Sequence, residues 1–398
     1  MKMKTAEKSE PTPRPPARWE QFLLGMRWDE LPRVFPGLAA AFALAWLAQI
    51  LATRAGAWVL AWQGVDPVGR ASPVSSISVA VVLGLVLSNA TRLPGLLRPG
   101  IDFARNKILR LGIILVGIKL SVIDVLKVGL LGVPLVMILV AFALFASLWL
   151  ARRMDVSSQL GSLAAASTAI CGITATLAVA PVVEADEKEV AYTVANVTLF
   201  GLLGMLVYPY LAHAFFGELP GAAGLFLGTA IHDTSQVMGA AISYREVFGD
   251  ERALPVATVA KLTRNSLLVA VIPLLAWLHA RKGARRAGEK RSLASFFPVF
   301  IFGFLALSLL RTAGDVGLEG GGLALGIFTE AAWGEWGRLL GERISSFALG
   351  AALAAVGMST RLSVLRGLGP RPFVVGFSAA TLVGLVSLVL SARVGPLL

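Results

Sequence analysis

The sequence predicts an all-α polytopic membrane protein. Of its 398 residues, 56% are hydrophobic and only 15% are charged, whereas soluble domains carry about 25% charged residues. The apolar residues form long blocks, and no charged residue occurs at 133–150 or at 373–391. A transmembrane helix needs about 20 largely apolar residues. Blocks of this length are not produced by amphipathic surface helices or by alternating strands.

After a polar, proline-rich and basic stretch of residues 1–35, apolar segments alternate with short loops. The stretch has no apolar core, which indicates a cytosolic tail and not a cleaved signal peptide. Residues 36–398 are predicted to form a single transmembrane transporter domain. Its eleven hydrophobic segments lie at about 36–52, 74–90, 108–123, 129–150, 158–185, 190–215, 221–243, 253–280, 294–310, 343–360 and 373–391.

Basic residues cluster in the tail and in four later loops, which favours a multi-pass protein of the cell inner membrane with these clusters in the cytoplasm. The four loops are 92–107, Arg152–Arg153, 281–291 and 361–371. This arrangement predicts a cytoplasmic N-terminus, an odd number of crossings and an external C-terminus. The net charge of +12 predicts a protein that lies in a lipid bilayer and not one that binds nucleic acid, because the cations lie between apolar runs.

Residue counts and missing motifs exclude several kinds of chemistry. The single cysteine, Cys171, rules out an intramolecular disulfide framework and a cysteine-rich zinc site. There are three histidines, and the zinc-protease, serine-hydrolase and P-loop patterns do not occur in the sequence. We therefore expect no cofactor, no metal site and no enzyme activity. A membrane-embedded enzyme is the least favoured class of function.

Two of the hydrophobic segments do not have the composition of simple spans. Segment 158–185 is rich in small and hydroxyl residues, and segment 221–243 contains Gly228–Gln236, which is too polar to face lipid. Non-helical backbone at membrane depth occurs only where it is buried in protein or lines a cavity. Both segments are therefore predicted to be broken or re-entrant helices.

Internal similarities predict inverted repeats. One pair aligns Thr168–Gly172 with Thr229–Asp233, and the following helices also match, Val194–Thr198 with Val259–Thr263. A second pair aligns residues 111–127 with 349–366, and by the predicted topology its members run in opposite directions. Interrupted segments in two related halves indicate a secondary transporter. The order is not collinear, because the second pair lies outside the first.

The runs 167–175, 189–195, 230–237, 259–264 and 355–360 resemble the YeiH family of proposed sulfate exporters, and Ala230–Val237 is the most specific of them. The resemblance covers nearly the whole chain beyond residue 35. That family is grouped with the cation/proton antiporter and bile-acid symporter folds. The resemblance thus implies crossed discontinuous helices, a moving core and export of sulfate.

Lys261, Arg264 and Asn265 share one face of the eighth segment, since they are spaced i, i+3 and i+4. Lys261 lies about 12 Å into the span at 1.5 Å per residue. A charge at that depth must face a cavity or a partner. Two interpretations stay open: a structural ion pair with Asp233, or a cationic pocket for an anion. In the second case, neutralising Lys261 should abolish transport and leave folding intact.

His232 and Asp233 are candidates for proton coupling. Histidine titrates near neutral pH, and a desolvated carboxylate can exchange a proton. The alternative interpretation is structural: a buried histidine that is hydrogen-bonded, and an aspartate that caps the following half-helix.

Hydroxyl and amide side chains at the two breaks complete the predicted substrate site. Half-helix N-termini bind anions, and hydroxyls add neutral donors that suit a tetrahedral oxyanion; ordinary interhelical packing of small polar residues is the alternative. Asn196 matches Lys261 in the repeat, and Cys171 is interpreted as a small packing residue. The predicted set is Ser167, Thr168, Cys171, Gly172, Asn196, Thr229, His232, Asp233, Thr234, Gln236, Lys261 and Arg264.

Together these features predict a secondary active transporter of a small inorganic or organic anion that works by alternating access. Sulfate or a sulfonate is the substrate that the resemblance suggests. The alternative is a cation/proton antiporter in which Asp233 binds the ion and Lys261 competes with it. A homodimer is expected only by analogy with folds of this type.

Overall fold

The computed structural model describes residues 27–68, 72–280, 300–363 and 369–397. Within these ranges the chain is helical, without β-strands apart from one isolated bridge between Ala324 and Phe328. The predicted all-α class is confirmed. Tail residues 1–26, the basic loop 281–291 and positions 364–366 of the second repeat pair lie outside the described residues.

The helices are α1 (Phe35–Trp62), α2 (Ser76–Ala90), α3 (Arg98–Phe103), α4 (Leu109–Val116), α5 (Val122–Arg153), α6 (Ser158–Ala169), α7 (Ile173–Val179), α8 (Glu187–Phe216), α9 (Pro220–Ala230), α10 (Thr234–Phe248), α11 (Ala253–Ser266), α12 (Leu268–Ala280), α13 (Phe300–Glu319), α14 (Glu330–Arg338), α15 (Ser345–Ser359) and α16 (Pro370–Val394). A π turn (Ala104–Ile108) joins α3 to α4, and a second (Leu339–Ile344) joins α14 to α15.

Seven helices of the described chain are long and apolar enough to cross a membrane. They are Phe35–Trp62, Val128–Arg153, Glu187–Phe216, Ala253–His279, Phe300–Glu319, Glu330–Ser359 and Pro370–Leu397. The count of eleven hydrophobic segments stays a prediction. We call the end of the bundle that carries Arg152 and Arg153 the basic face, and the other end the opposite face.

The first broken segment is a re-entrant hairpin (hairpin 1, α6 and α7). The hydroxyl of Ser157, which caps the start of α6, lies 2.5 Å from a carboxylate oxygen of Glu189 in the first turn of α8. The starts of α6 and α8 are therefore at the same level, the basic face. Because α8 begins where α6 began, α7 must return the chain from the middle of the bundle to that face.

The second broken segment is also a re-entrant hairpin (hairpin 2, α9 and α10), and it enters from the opposite face. A Cβ added to Gly228 would lie 2.6 Å from the carbonyl oxygen of Ala257, and one on Gly224 would lie 2.5 Å from that of Ala253. Helices α9 and α11 therefore run side by side in the same direction from the opposite face. Helix α10 returns to that face along α8, where the ring of Phe248 stacks on His213 at 3.9 Å.

Because each hairpin starts and ends at one face, neither adds a crossing. The number of membrane crossings therefore stays odd, and Phe35 and Val394 lie at different faces. Six helix ends lie at the basic face, together with the described members of the predicted basic clusters. They are the starts of α1, α3, α13 and α16 and the ends of α2 and α15.

The repeats are inverted, and the second repeat is circularly permuted. Four pairs of elements run in opposite directions: α3–α4 with α14–α15, α5 with α16, hairpin 1 with hairpin 2, and α8 with α11–α12. Residues that align also meet in space, as positions near a two-fold axis must. A Cβ on Gly172 would lie 3.4 Å from the Cβ of its counterpart Asp233, and one on Gly112, whose counterpart is Gly350, would lie 2.6 Å from Cγ of the preceding residue, Leu349. The permutation explains why the pairing was not collinear.

At the opposite face, polar contacts fasten hairpin 2 to the neighbouring helices. The Glu246 carboxylate accepts hydrogen bonds from the hydroxyl of Ser75 (2.9 Å), from the amide of Ser76 (2.8 Å) and from the hydroxyl of Ser76 (2.7 Å), at the start of α2. Lys119 forms ion pairs with Glu251 and, at 2.8 Å, with Glu342. Lys119 is therefore an anchor at this face and not part of the hairpin crossing.

The hairpin topology predicts which pairs of positions share a membrane side. In a Cys171→Ala background, which removes the only cysteine, single cysteines at Arg153 and Glu187 should react with a membrane-impermeant maleimide from one side. Cysteines at Glu218 and Arg252 should react from the other side. All four side chains are exposed. Labelling of Arg153 and Glu187 positions from different sides would show that segment 158–185 crosses the membrane.

Candidate functional site

The two hairpin tips meet in the middle of the bundle. In each hairpin the backbone is non-helical for three residues between its two helices. Helix α6 ends at Ala169 and α7 begins at Ile173; α9 ends at Ala230 and α10 begins at Thr234. Gly172 has φ +65°, a left-handed conformation that glycine adopts without steric cost, and its amide donates to the Ser167 carbonyl at 3.0 Å. The breaks at 170–172 and 231–233 confirm the two predicted discontinuous helices.

Each break leaves carbonyl groups at the C-terminal end of a half-helix without a helical partner. Lys261, which is fully buried on α11, supplies donors to three of them. Its Nζ donates to the carbonyl oxygens of Ile170 at 2.9 Å and Ile231 at 3.1 Å, and also to that of His232. One ammonium group thereby joins the two hairpin tips, and all three of its protons are used.

Arg264, one turn further along α11 and also fully buried, binds a second set of carbonyls. Its Nε donates to Ala169 O at 2.6 Å and its Nη1 to Thr229 O at 2.7 Å and Ile231 O at 3.2 Å. Its Nη2 donates to Thr168 O. The guanidinium therefore also spans both hairpins.

Both cations thus lie against the negative ends of two helix dipoles, where positive charge is favoured. Within the described residues, Asp233 forms no ion pair with Lys261. The structural partner of Lys261 is therefore backbone and not the carboxylate that the ion-pair interpretation named. Direct contact between Lys261 and an anion would require at least one of its three carbonyl bonds to break.

Asp233 caps the return helix α10. Its Oδ1 accepts a hydrogen bond from the amide of Ser235 at 2.9 Å and another from the Ser235 hydroxyl. Its side chain is partly exposed, beside Gly172. An aspartate at this position satisfies an orphan amide and complements the positive end of the helix dipole.

His232 is buried, and its Nδ1 lies 3.1 Å from the Thr168 carbonyl oxygen. Because a carbonyl oxygen only accepts, Nδ1 carries the proton in this contact, which leaves Nε2 as the nitrogen able to exchange one. The imidazole also lines the internal cavity described next.

A narrow cavity lies between α6, α8 and α16 and reaches from the basic face to His232. Its volume of about 20 Å³ is enough for about one water molecule. The lining is uncharged: Val156, Leu160, Ala164, Ser167, Thr168, Tyr192, Thr193, Asn196, Val197, Phe200, His232, Pro372, Val375, Gly376 and Ala380. Of the predicted site residues, the cavity brings together Ser167, Thr168, Asn196 and His232.

Several polar side chains of the predicted set, in the cavity wall and near the tips, form hydrogen bonds within the protein. The Ser167 hydroxyl donates to Ala164 O at 2.9 Å, and Thr229 Oγ1 lies 2.6 Å from the hydroxyl of Ser387. Gln236 donates to Thr198 O at 3.0 Å, Asn196 donates to Pro372 O at 3.3 Å, and Thr234 Oγ1 accepts from Asn265 at 3.0 Å. Cys171 is buried with a free thiol.

Sequence reasoning did not anticipate the contribution of α16. Gly376 lies so close to Asn196 that a Cβ would stand 2.7 Å from the Asn196 Cγ. The segment carrying Gly376 contains no charge and matches no motif, so no local signal marked it. Two buried acceptors at the crossing, Gln236 Oε1 and Asn265 Oδ1, have no hydrogen-bond partner in the described chain. No group of three or more His, Cys, Asp or Glu residues suited to a metal ion occurs within that same part.

Residues 36–376 match the family model described as conserved hypothetical protein 698. The chain belongs to this family. It is 31% identical to a UPF0324 membrane protein of Bacillus anthracis over 324 residues, which is 81% of this chain and 88% of that protein. It is 32% identical to one of Corynebacterium glutamicum over 317 residues (80% and 85%) and 28% identical to one of Nitratidesulfovibrio vulgaris over 353 residues (87% and 89%). No solved structure matches the chain.

The resemblance noted in the sequence is thereby confirmed at the level of the family. The chain is a polytopic membrane protein, and its relatives are named membrane proteins. Export of sulfate and the grouping with antiporter folds stay predictions.

The contacts change the expected outcome of removing the Lys261 charge. Lys261→Met keeps the apolar stem but leaves the carbonyls of Ile170 and His232 without this donor. A buried acceptor without a partner costs about 1–3 kcal/mol, so the free energy of unfolding should fall by about 3 kcal/mol. Thermal unfolding in detergent measures the change. Ser266→Ala is the matched control, because that hydroxyl donates only to Leu262 O of its own helix. Equal melting of Lys261→Met and the wild type would show that Lys261 does not hold the tips together.

Proposed function

We propose that the protein is a secondary transporter of a small anion that works by alternating access. The observation that carries the proposal is the crossing of two opposed re-entrant hairpins over two fully buried cations, Lys261 and Arg264. Broken helices with their ends at mid-membrane are the usual binding architecture of such transporters.

The charge at the crossing favours an anion. Lys261 and Arg264 contribute +2, and Asp233 contributes −1. The C-terminal ends of α6 and α9 each contribute about −0.5, and the start of the 15-residue helix α10 about +0.5. The sum is positive, so the site attracts negative charge even though the Lys261 protons already bind carbonyls.

In the proposed site the anion lies beside Gly172 and the partly exposed side chain of Thr234. The first-turn amides of α10 that Asp233 leaves free and the Thr234 hydroxyl would donate to its oxygens. Lys261 and Arg264 supply the potential and hold the tips, and they do not ligate the anion directly. Sulfate or a sulfonate, transported outward, is the substrate we propose from the YeiH resemblance.

The access route we propose is the cavity between α6, α8 and α16. Its mouth lies near Val156 and Pro372 and its inner end at His232. Space for about one water molecule does not admit a hydrated oxyanion, so helices must separate for transport. A carrier of this kind releases its substrate unchanged, and no catalytic group or cofactor is assigned.

For proton coupling we propose His232 and Asp233. The Nε2 of His232 is the ring nitrogen that the Thr168 contact leaves available, and Asp233 adjoins the anion position. Under the positive-inside rule the basic face is cytoplasmic in the inner membrane, which also places the N-terminus in the cytoplasm. The cavity then opens towards the cytoplasm.

One observation favours a second candidate, a cation/proton antiporter. Within the described chain the Asn265 Oδ1 is a buried acceptor without a partner, and the Asn265 amide contacts the Thr234 hydroxyl, next in sequence to Asp233. Oxygen ligands of this kind suit a hard cation. In that case Asp233→Asn would abolish cation-dependent proton movement.

Counterflow of labelled sulfate in proteoliposomes tests the anion proposal, with alkanesulfonates in parallel. We expect uptake that Thr234→Val slows by about tenfold, because one donor to the oxyanion is lost while the shape is kept. Thr258→Val is the matched control, since that buried hydroxyl donates to Leu254 O within α11. We expect Asp233→Asn to retain exchange but to lose its response to an imposed pH gradient. Absence of anion uptake together with cation-driven proton flux would overturn the proposal in favour of antiport.

The access route is tested by Gly376→Leu combined with Asn196→Ala, which makes room for the new side chain yet fills the cavity. We expect exchange to fall at least tenfold while the protein melts as the single Asn196→Ala variant does. Val389→Leu, on the lipid-facing side of the same helix, should transport normally. Full activity of the filled variant would show that substrate takes another path.

A further inference from the structure

Helix α1 lies outside the inverted repeats and carries an exposed polar side chain, Gln49, at one edge of its buried stripe (Ala41, Ala45, Ala48 and Ala52). The Gln49 side chain is exposed, and its amide makes no hydrogen bond within the described chain. Two close contacts fix its depth. A Cβ on Gly37 would lie 2.9 Å from Gly100 Cα near the basic face, and one on Gly56 would lie 2.9 Å from Ser72 Cβ near the opposite face. At 1.5 Å per residue, Gln49 is about 18 Å from the first level and about 10 Å from the second.

A carboxamide at that depth faces hydrocarbon, where no water satisfies its donors and acceptors. Burial of such a group without partners costs several kcal/mol. In membrane proteins glutamine side chains at helix surfaces are used to hydrogen-bond to a neighbouring helix. Gln49 therefore requires a partner that a single chain does not supply within its described residues.

We propose that the exposed side of α1 that carries Gln49 is the interface with a second copy of this chain. In a two-fold dimer whose axis is parallel to the membrane normal, the two α1 helices are parallel and Gln49 of each copy meets Gln49 of the other. The carboxamide contains both a donor and an acceptor, so it is complementary to itself. A two-fold axis requires that kind of self-complementary contact.

The surface around Gln49 has the shape for such a contact. Trp46, Gln49, Ile50, Thr53 and Arg54 line a groove along α1. The Thr53 hydroxyl donates to the Gln49 carbonyl at 2.9 Å, so Thr53 needs no partner of its own. Trp46 is 61% exposed and is long enough to cover the groove of the second copy.

Arg54 lies at the end of the groove near the opposite face, two residues before Gly56. At that level a long side chain extends to water and lipid headgroups, so two arginines related by the axis need not face each other. The dimer leaves both hairpins and the cavity uncovered, and the inference does not depend on the proposed substrate.

Oxidative cross-linking in native membranes tests the interface in the Cys171→Ala background. We expect Gln49→Cys to form disulfide-linked dimers. Leu47→Cys is the matched control, because it is also exposed on α1 but lies about 200° around the helix from Gln49. Leu47→Cys should remain monomeric under the same oxidation. Equal cross-linking at the two positions, or none at Gln49→Cys, would overturn the proposal.

The strength of the contact is tested by the dimer dissociation constant in lipid, measured by single-molecule photobleaching at graded protein density. Gln49→Leu should weaken the dimer about 3- to 20-fold, as expected for loss of one interhelical hydrogen-bonded contact in a membrane. Gln49→Asn, which keeps a carboxamide, should weaken it less than Gln49→Leu. A dissociation constant unchanged by Gln49→Leu would show that the groove is filled by lipid or by another protein.

Discussion

The structure depends on how two half-helices that end in the middle of a membrane satisfy their carbonyl groups. Lipid supplies no hydrogen-bond donors at that depth, so an open helix end costs several kcal/mol unless protein donors reach it. Lys261 and Arg264 supply those donors from one face of α11, to residues of both hairpins at once. The charges are in turn stabilised by the negative ends of the two helices. Neither the cations nor the broken backbone would be tolerated without the other.

The same interaction shows how two repeats share one site. Thr168 and Thr229 align in the repeats, and their carbonyls bind the same guanidinium. Gly172 and Asp233 align and touch each other. Asn196 aligns with Lys261 but binds the backbone at the start of α16 instead. The two repeats therefore have related backbone folds but differ in charge. The two buried cations belong to the second repeat, and the uncharged cavity is lined mainly by residues of the first.

The sequence was sufficient to predict the class, the two breaks and the buried position of Lys261, because each follows from the length and composition of a span. It also predicted the capping role of Asp233 as one of two alternatives. It left open whether the broken segments cross or re-enter, because the direction of α7 after Gly172 is decided by packing against α12 and α8 and not by local residues. For the same reason the carbonyl partners of Lys261 could not be predicted: they exist only once both tips converge on α11. Gly376 was missed since its role is purely to allow close approach.

The two faces of the molecule differ in a way that bears on mechanism. At the basic face, hairpin 1 borders a cavity that reaches His232. At the opposite face, the equivalent end of hairpin 2 is closed by tight packing of Gly224 and Gly228 on α11 and is fastened through Glu246 to the start of α2. Under the proposed transport function, two halves with related folds but unequal openings correspond to one of the two end states of a carrier. Opening at the opposite face would require the Glu246 and Glu251 contacts to break while the Lys261 and Arg264 contacts hold, since the latter, together with the contact between His232 and Thr168, join the hairpins to each other.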